Sequence, residues 1–229
     1  MSEFVPILGA IAGGLFPALA WLWFWRREDR AHPEPRKLIA LAFFAGMVTV
    51  AVVIPIQKYV AAYIASQTLI FTLWSAIEEI AKYLAASLTV LWRREDDEPI
   101  DSVIYMVTVA LGFAALENVL FLLSPLAGET VLQTIMTGNL RFVGATLLHV
   151  LSSAAIGVAL ALSFYQPRRI KRLFAVAGVI LAVALHSAFN FLILNTAEEH
   201  LLRTFGFVWL GLIALLAVLE YVKRIKKML

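Results

Sequence analysis

The chain has 229 residues, 62% of them hydrophobic and 15% charged, with a mean hydropathy of +0.86. A single soluble core of this size cannot hide that much apolar surface, and long apolar stretches broken by short charged runs describe a polytopic helical membrane protein. The absence of cysteine excludes disulfides, a thiolate metal site and a cysteine nucleophile, and the net charge of +3 comes from basic residues beside apolar runs, a topology pattern that requires no nucleic acid.

Apolar length predicts an all-α transmembrane bundle of about seven spans, at 5–25, 38–57, 68–92, 102–124, 141–165, 173–194 and 204–222. The first span follows no basic n-region and reads as a retained helix rather than a cleaved signal. Its "GAIAG" (Gly9 to Gly13) fits close helix packing or a dimer face. Trp21, Trp23 and Trp25 at its end read as interfacial anchors, and Pro17 and Pro55 as kinks inside spans. The linkers "RREDRAHPEPRK", "RRED" and "RRIKR" and the terminal "KRIKK" hold 15 of the 19 Lys and Arg. With the N-terminus outside and the C-terminus cytoplasmic, seven spans put all four basic runs in the cytoplasm. No internal repeat or separate soluble domain is visible. The whole of 1–229 reads as one integral-membrane domain in the cell membrane, in contact with the lipid bilayer, with a working core at about 68–194.

The third span carries Glu78, Glu79 and Lys82 near its middle. The fourth carries Glu117 and Asn118, the fifth His149, and the sixth His186 and Asn190. An acid or a lysine at the centre of a span costs about 2.5–3.5 kcal/mol on insertion scales, so these groups are expected to face one another, a metal or water. At about 1.5 Å per residue from the outer ends, all four helices deliver their groups roughly 10–15 Å down. Four helices running in alternating directions therefore converge on one slab. Glu78 and Lys82 are i,i+4, the better orientation for an ion pair, while Glu79 is i,i+3 from the same lysine. Each group also has a plainer reading: a structural ion pair, a hydrogen-bonded packing histidine, or interhelical asparagine contacts. "AEEH" (Ala197 to His200) resembles ligand spacing but reads as a solvated outer loop, and His32 is a linker residue without an evident partner.

Carboxylates and imidazoles in one wet pocket are the ingredients for activating water. A zinc ion held by His and Glu lowers the pKa of bound water to about 7. Without metal, a buried Glu can serve as base while His and Asn stabilise the oxyanion. Peptide hydrolysis fits either route. Other intramembrane protease chemistries lack their residues: there is no HExxH helix, no G-x-S nucleophile, and only Asp101 approaches a span as a candidate aspartyl group. A proton- or ion-coupled transporter, using the Glu, Lys and His cluster as a relay, is the alternative from another class.

"EEIAK" (Glu78 to Lys82), "GFAALEN" (Gly112 to Asn118), Arg141 with His149 eight residues on, and "HSAFN" (His186 to Asn190) occur in this order. Together they resemble the PrsW-type intramembrane proteases, which are related to the CAAX prenyl protease and bacteriocin-processing group. The likeness spans about 74–191. It implies a membrane-embedded metalloprotease acting on a membrane protein, such as a membrane-bound anti-sigma factor, with a metal-free glutamate mechanism as the other possibility. The CAAX group carries a histidine where this chain has Glu117. The resemblance implies Glu78 as base, His149 and His186 as zinc ligands, Glu79 or Glu117 as a third ligand, and Asn190 as oxyanion donor. Lys82, Asn118 and Arg141 fall in supporting positions.

Overall fold

The computed structural model describes residues 4–29, 32–123, 131–195 and 201–226, with side chains described for 7–29, 32–123, 144–192 and 206–226. The described residues form seven helices: α1 (Phe4–Trp25), α2 (Arg36–Tyr63), α3 (Gln67–Thr89), α4 (Pro99–Leu123), α5 (Val131–Leu162), α6 (Arg168–Asn195) and α7 (Leu201–Val222). The molecule is a polytopic, all-α, multi-pass integral membrane protein. Among the described residues, five stretches are long and apolar enough to cross a bilayer, in α1, α2, α4, α5 and α6. α3 is 23 residues long and carries the three ionisable groups of "EEIAK"; the apolar part of α7 described, Gly206–Val222, is shorter than a full span.

α4 is the axis of the bundle. Every residue from Pro99 to Ala115 is buried, as befits a helix apolar on all sides and packed by helices on all sides. Its neighbours come unusually close. A Cβ on Gly46 of α2 would stand 2.0 Å from the Val109 carbonyl oxygen, and one on Gly112 of α4 would stand 1.9 Å from that of Phe43. These two glycines let the α2 and α4 backbones touch, the small-residue contact expected where lipid offers no hydrophobic drive for helix association. Packing of α2 on α3 places Gln57, near the end of α2, against the middle of α3.

Several expectations change at the helix ends. α2 continues through Lys58 to Tyr63 with Pro55 inside it, so the connection to α3 is only residues 64–66. Ser66 caps α3 by accepting the N–H of Leu69 at 3.4 Å. α5 begins at Val131, ten residues before the expected start, because the polar stretch around Gln133 and Asn139 is helical without being apolar enough for a span. The apolar stretch of α5 among the described residues, Gly144–Leu162, contains His149 and falls within the predicted span at 141–165. Trp25 is fully buried rather than an interfacial anchor, whereas Trp23 is exposed beneath the Arg27 guanidinium at 3.4 Å. Gly13 meets Leu122 of α4, but Gly9 faces open space, so "GAIAG" is not a continuous packing stripe.

The end of the bundle that holds the α1–α2 and α3–α4 linkers buries acids among its basic residues. Asp29 and Glu34 are buried there, and that burial pushes both carboxyls above their usual range.

Candidate active site

Glu78, Glu79 and Lys82 lie on the buried stripe of α3, together with Ser75 and Ala86. The spacing of three and four residues puts all of these on one helical face. That face meets α4, α5 and α6, which supply Glu117, His149 and His186. The expected convergence of four helices is present.

Glu79 is completely buried and saturated with donors. Its Oε1 accepts from Lys82 Nζ at 2.6 Å, from His186 Nδ1 at 2.8 Å and from Ser152 Oγ at 2.9 Å. Its Oε2 accepts from Ser153 Oγ at 2.9 Å. Lys82 therefore pairs with Glu79 at i,i+3 and not with Glu78 at i,i+4. Lys82, also fully buried, lies 3.2 Å from His149 Nδ1 and 4.9 Å above the ring of Phe113. An ammonium has no lone pair, so it donates and Nδ1 accepts. Proton roles on both histidines follow. His149 donates from Nε2 to Glu117 Oε2 at 2.7 Å, and His186 donates from Nδ1 to Glu79. Each imidazole is thus backed by a carboxylate that fixes its tautomer, the usual second-shell device of a metal-ligating or catalytic histidine.

The free Nε2 of His186 and the Lys82-bound Nδ1 of His149 face Glu78. Its Oε2 is 3.7 Å from His186 Nε2 and 4.0 Å from His149 Nδ1. Its Oε1 accepts from Gln57 Nε2 at 2.7 Å, and Trp74 Nε1 ties that glutamine's carbonyl oxygen to α3 at 3.1 Å. Oε2 is buried and has no hydrogen-bond donor among the described residues. Such an orphan costs about 1–3 kcal/mol, and native proteins keep one where a water, an ion or a reacting group belongs. One ligand atom each from Glu78, His149 and His186 lies within 4.8 Å of the others. Donors about 2.0–2.1 Å from a tetrahedral zinc stand about 3.3–3.4 Å apart, so a small contraction would seat a metal. The donor set and the orphan oxygen fit one once Lys82 releases His149 Nδ1.

The carboxylate gathered with the two imidazoles is that of Glu78, while Glu79 and Glu117 stand behind them. Glu117 has 40% of its side chain exposed, in contrast to 8% for Glu78 and none for Glu79. Asn190 reaches α3 through Nδ2 donating to Ser75 Oγ at 3.2 Å. Asn118 donates to Thr146 Oγ1 at 3.0 Å, joining α4 to α5 beside the cluster but outside it. The side chain of Arg141, and "AEEH" at 197–200, lie outside the described residues. Sequence reasoning missed Ser152, Ser153 and Gln57. The two serines stand three and four residues after His149, on its face of α5, and that spacing was the available signal. Single small polar residues are common in membrane helices, and nothing else marks these two.

Residues 34–219 match the family described as PrsW family intramembrane metalloprotease. The chain belongs to that family. It is 29% identical over 190 residues to the protease PrsW of Geobacillus kaustophilus, covering 80% of this chain and 79% of the relative. It is 26% identical to that of Oceanobacillus iheyensis, covering 91% and 94%, and 22% identical to that of Bacillus subtilis, covering 87% and 90%. No solved structure matches. The PrsW-family assignment and the buried Glu and His cluster together identify an intramembrane peptidase, with the cluster as its site for attack on a substrate peptide bond.

Proposed function

We propose that the reacting water sits against Glu78 Oε2, between the free Nε2 of His186 and the Lys82-bound Nδ1 of His149, and that the substrate is a membrane protein cut in or near a single spanning segment. The observation that carries this reading is the orphaned Oε2, the one carboxylate oxygen of the cluster that is buried, unpaired and faced by both imidazole rings, His186 through a free Nε2. A membrane-bound regulator such as an anti-sigma factor is a suitable substrate of this class.

In the metal-free protein, Glu78 accepts the proton of the attacking water. Glu79 does not compete for it, since its two oxygens are already held by Lys82, His186, Ser152 and Ser153. Its work is to keep the His186 ring oriented. Lys82 and Glu117 do the same for His149 from opposite sides of the ring. Asn190 swings its amide from Ser75 toward the developing oxyanion. Glu78 then passes the proton it took from water to the leaving amine.

His149, His186 and Glu78 are the residues that would hold a zinc ion, in place of the Glu79 or Glu117 ligation implied by the resemblance. A bound zinc would supply Lewis acidity toward the substrate carbonyl and favour ionisation of water. Glu78 then being a ligand, Glu117 becomes the proton acceptor.

The basic linkers between α1 and α2, α3 and α4, and α5 and α6 support a cytoplasmic placement for that end of the bundle and an outside N-terminus. The core at about 68–194 supplies five of the six residues with a part in the reaction from three of its helices, α3, α5 and α6, and Glu117 from α4.

The test is incubation of purified protein with a panel of single-span peptides, with and without a chelator, beside an ion-flux assay in vesicles. Cleavage lost in Glu78→Gln with no flux in either protein supports the reading. Undiminished cleavage by Glu78→Gln, or flux that depends on Glu78 without cleavage, overturns it. Retained activity after chelation selects Glu78 as base; its loss selects the zinc arrangement.

A further inference from the structure

A second group of acids lies at the opposite end of α4. Asp101 and Glu117 are 16 residues apart on that helix, about 24 Å, so the two groups are separate. One carboxylate oxygen each from Asp29, Glu98 and Asp101 lies within 4.8 Å of the others. Asp29 belongs to the α1–α2 linker, Glu98 to the α3–α4 linker and Asp101 to the first turn of α4. Asp29 is 4% exposed and Asp101 is 1% exposed.

Acids in proximity do not make a site, but Asp101 has a further property. Its Oδ2 accepts the backbone N–H of Asp97 at 2.9 Å and of Glu98 at 2.6 Å, which orients the carboxylate. Its Oδ1 is buried with no N–H or hydroxyl donor among the described residues, and its carboxyl faces that of Glu34. The remaining donors nearby are spent elsewhere. Tyr105 donates its hydroxyl to Glu34 Oε2, and the Glu34 N–H goes to Asp29 Oδ2 at 3.3 Å. His32, the linker histidine, meets the outer side of the group at Glu98 Oε1, 2.6 Å away. Among the described residues, no Lys or Arg forms an ion pair with Asp29, Glu34, Glu98 or Asp101. Buried charge of one sign demands a counter-charge.

We propose that Asp29, Glu98 and Asp101, with Glu34 beside them, form a second binding site, for a hard divalent cation that fastens the α1–α2 linker to the start of α4. The ligands are all oxygens, the donor set of Ca²⁺ and Mg²⁺ and not of the softer transition metals. Oxygens on opposite sides of Ca²⁺ stand about 4.6–5.2 Å apart, and about 4.0–4.2 Å around Mg²⁺. The observed grouping accommodates either ion with waters completing the shell.

The test is thermal unfolding of the full-length protein in detergent, stripped with EDTA and dialysed, then titrated with CaCl₂ or MgCl₂ against NaCl of matched ionic strength. At a hundredfold excess over Kd, the favoured ion should raise Tm by about 5–10 °C. The ion that saturates at the lower concentration is the one the site selects. Asp101→Asn should abolish the shift. Its amide can donate to Glu34, so the variant has a neutral buried hydrogen bond where two carboxyls face each other; Asp29→Asn serves as a second variant if it does not fold. The same titration in His186→Ala keeps the shift, because that change removes a group from the peptidase site alone. No shift with either ion, an undiminished shift in both Asp101→Asn and Asp29→Asn, or a shift lost in His186→Ala overturns the proposal. So does a fall in Tm on Arg30→Gln with no response to divalent ions, which would make Arg30, outside the described residues, the counter-charge.

Discussion

Glu78 and Glu79 are adjacent in sequence and opposite in energetics, and replacing each by glutamine separates them. Glu79 is a fully buried acceptor of four hydrogen bonds, one from the fully buried Lys82 at 2.6 Å. Removing one member of such a pair leaves the other charge uncompensated, at a cost of about 3–5 kcal/mol. At about 2–4 °C per kcal/mol for a protein of this size, Glu79→Gln should lower Tm by about 6–20 °C. Glu78 holds one hydrogen bond, from Gln57, and carries an orphan oxygen. Losing a buried unpaired acceptor relieves about 1–3 kcal/mol, and a glutamine amide can donate to the free His186 Nε2, now 3.7 Å from Oε2. Glu78→Gln should therefore leave Tm of metal-stripped protein unchanged or raise it by a few degrees, while abolishing cleavage. The measurements are thermal unfolding in detergent followed by circular dichroism, and cleavage of a single-span peptide. A Glu78→Gln protein as destabilised as Glu79→Gln would show Glu78 to be structural. A Glu79→Gln protein of wild-type stability would dismantle the hydrogen-bonded hub.

Ser152→Ala with Ser153→Ala removes two donors to a charged acceptor, at about 1.5–3 kcal/mol each; unfolding should show the loss, and kcat should fall as the His186 support loosens. Asn190→Ala should lower kcat by about 10²–10³-fold with little change in KM, if its amide meets the oxyanion; steady-state kinetics on the peptide substrate will show which parameter moves. Gly112→Val should prevent folding, since even a Cβ would stand 1.9 Å from the Phe43 carbonyl oxygen, and the yield of monodisperse protein measures it.

The polar residues of α3 to α6 were legible because each is out of place in an apolar run. Insertion cost alone required Glu78, Glu117, His149 and His186 to find partners, and they found one another. The assignment of Lys82 was not legible: Glu78 and Glu79 lie within one turn of it, and the choice of Glu79 depends on Ser152, Ser153 and His186 arriving from other helices. The role of Gln57 was hidden for the same reason, because the packing of α2 on α3 across the short 64–66 connection brings it to Glu78. α5 extends ten residues ahead of the span at 141–165, because hydropathy finds spans, whereas backbone hydrogen bonding continues through polar residues such as Gln133 and Asn139. Asp101 was noticed only as an isolated acid, since its neighbours Asp29 and Glu98 come from linkers that approach through folding.

The central claim is that Glu78, His149 and His186 together form the point at which a peptide bond is hydrolysed. The direct measurement is cleavage of a single-span substrate in lipid nanodiscs by Glu78→Gln, His149→Gln and His186→Gln, each first shown to be folded, with the products identified by mass. The expected result is loss of cleavage by at least about 10²-fold in all three, as for removal of groups that act as a unit. Cleavage at the wild-type position and rate by any one of the folded variants would contradict it.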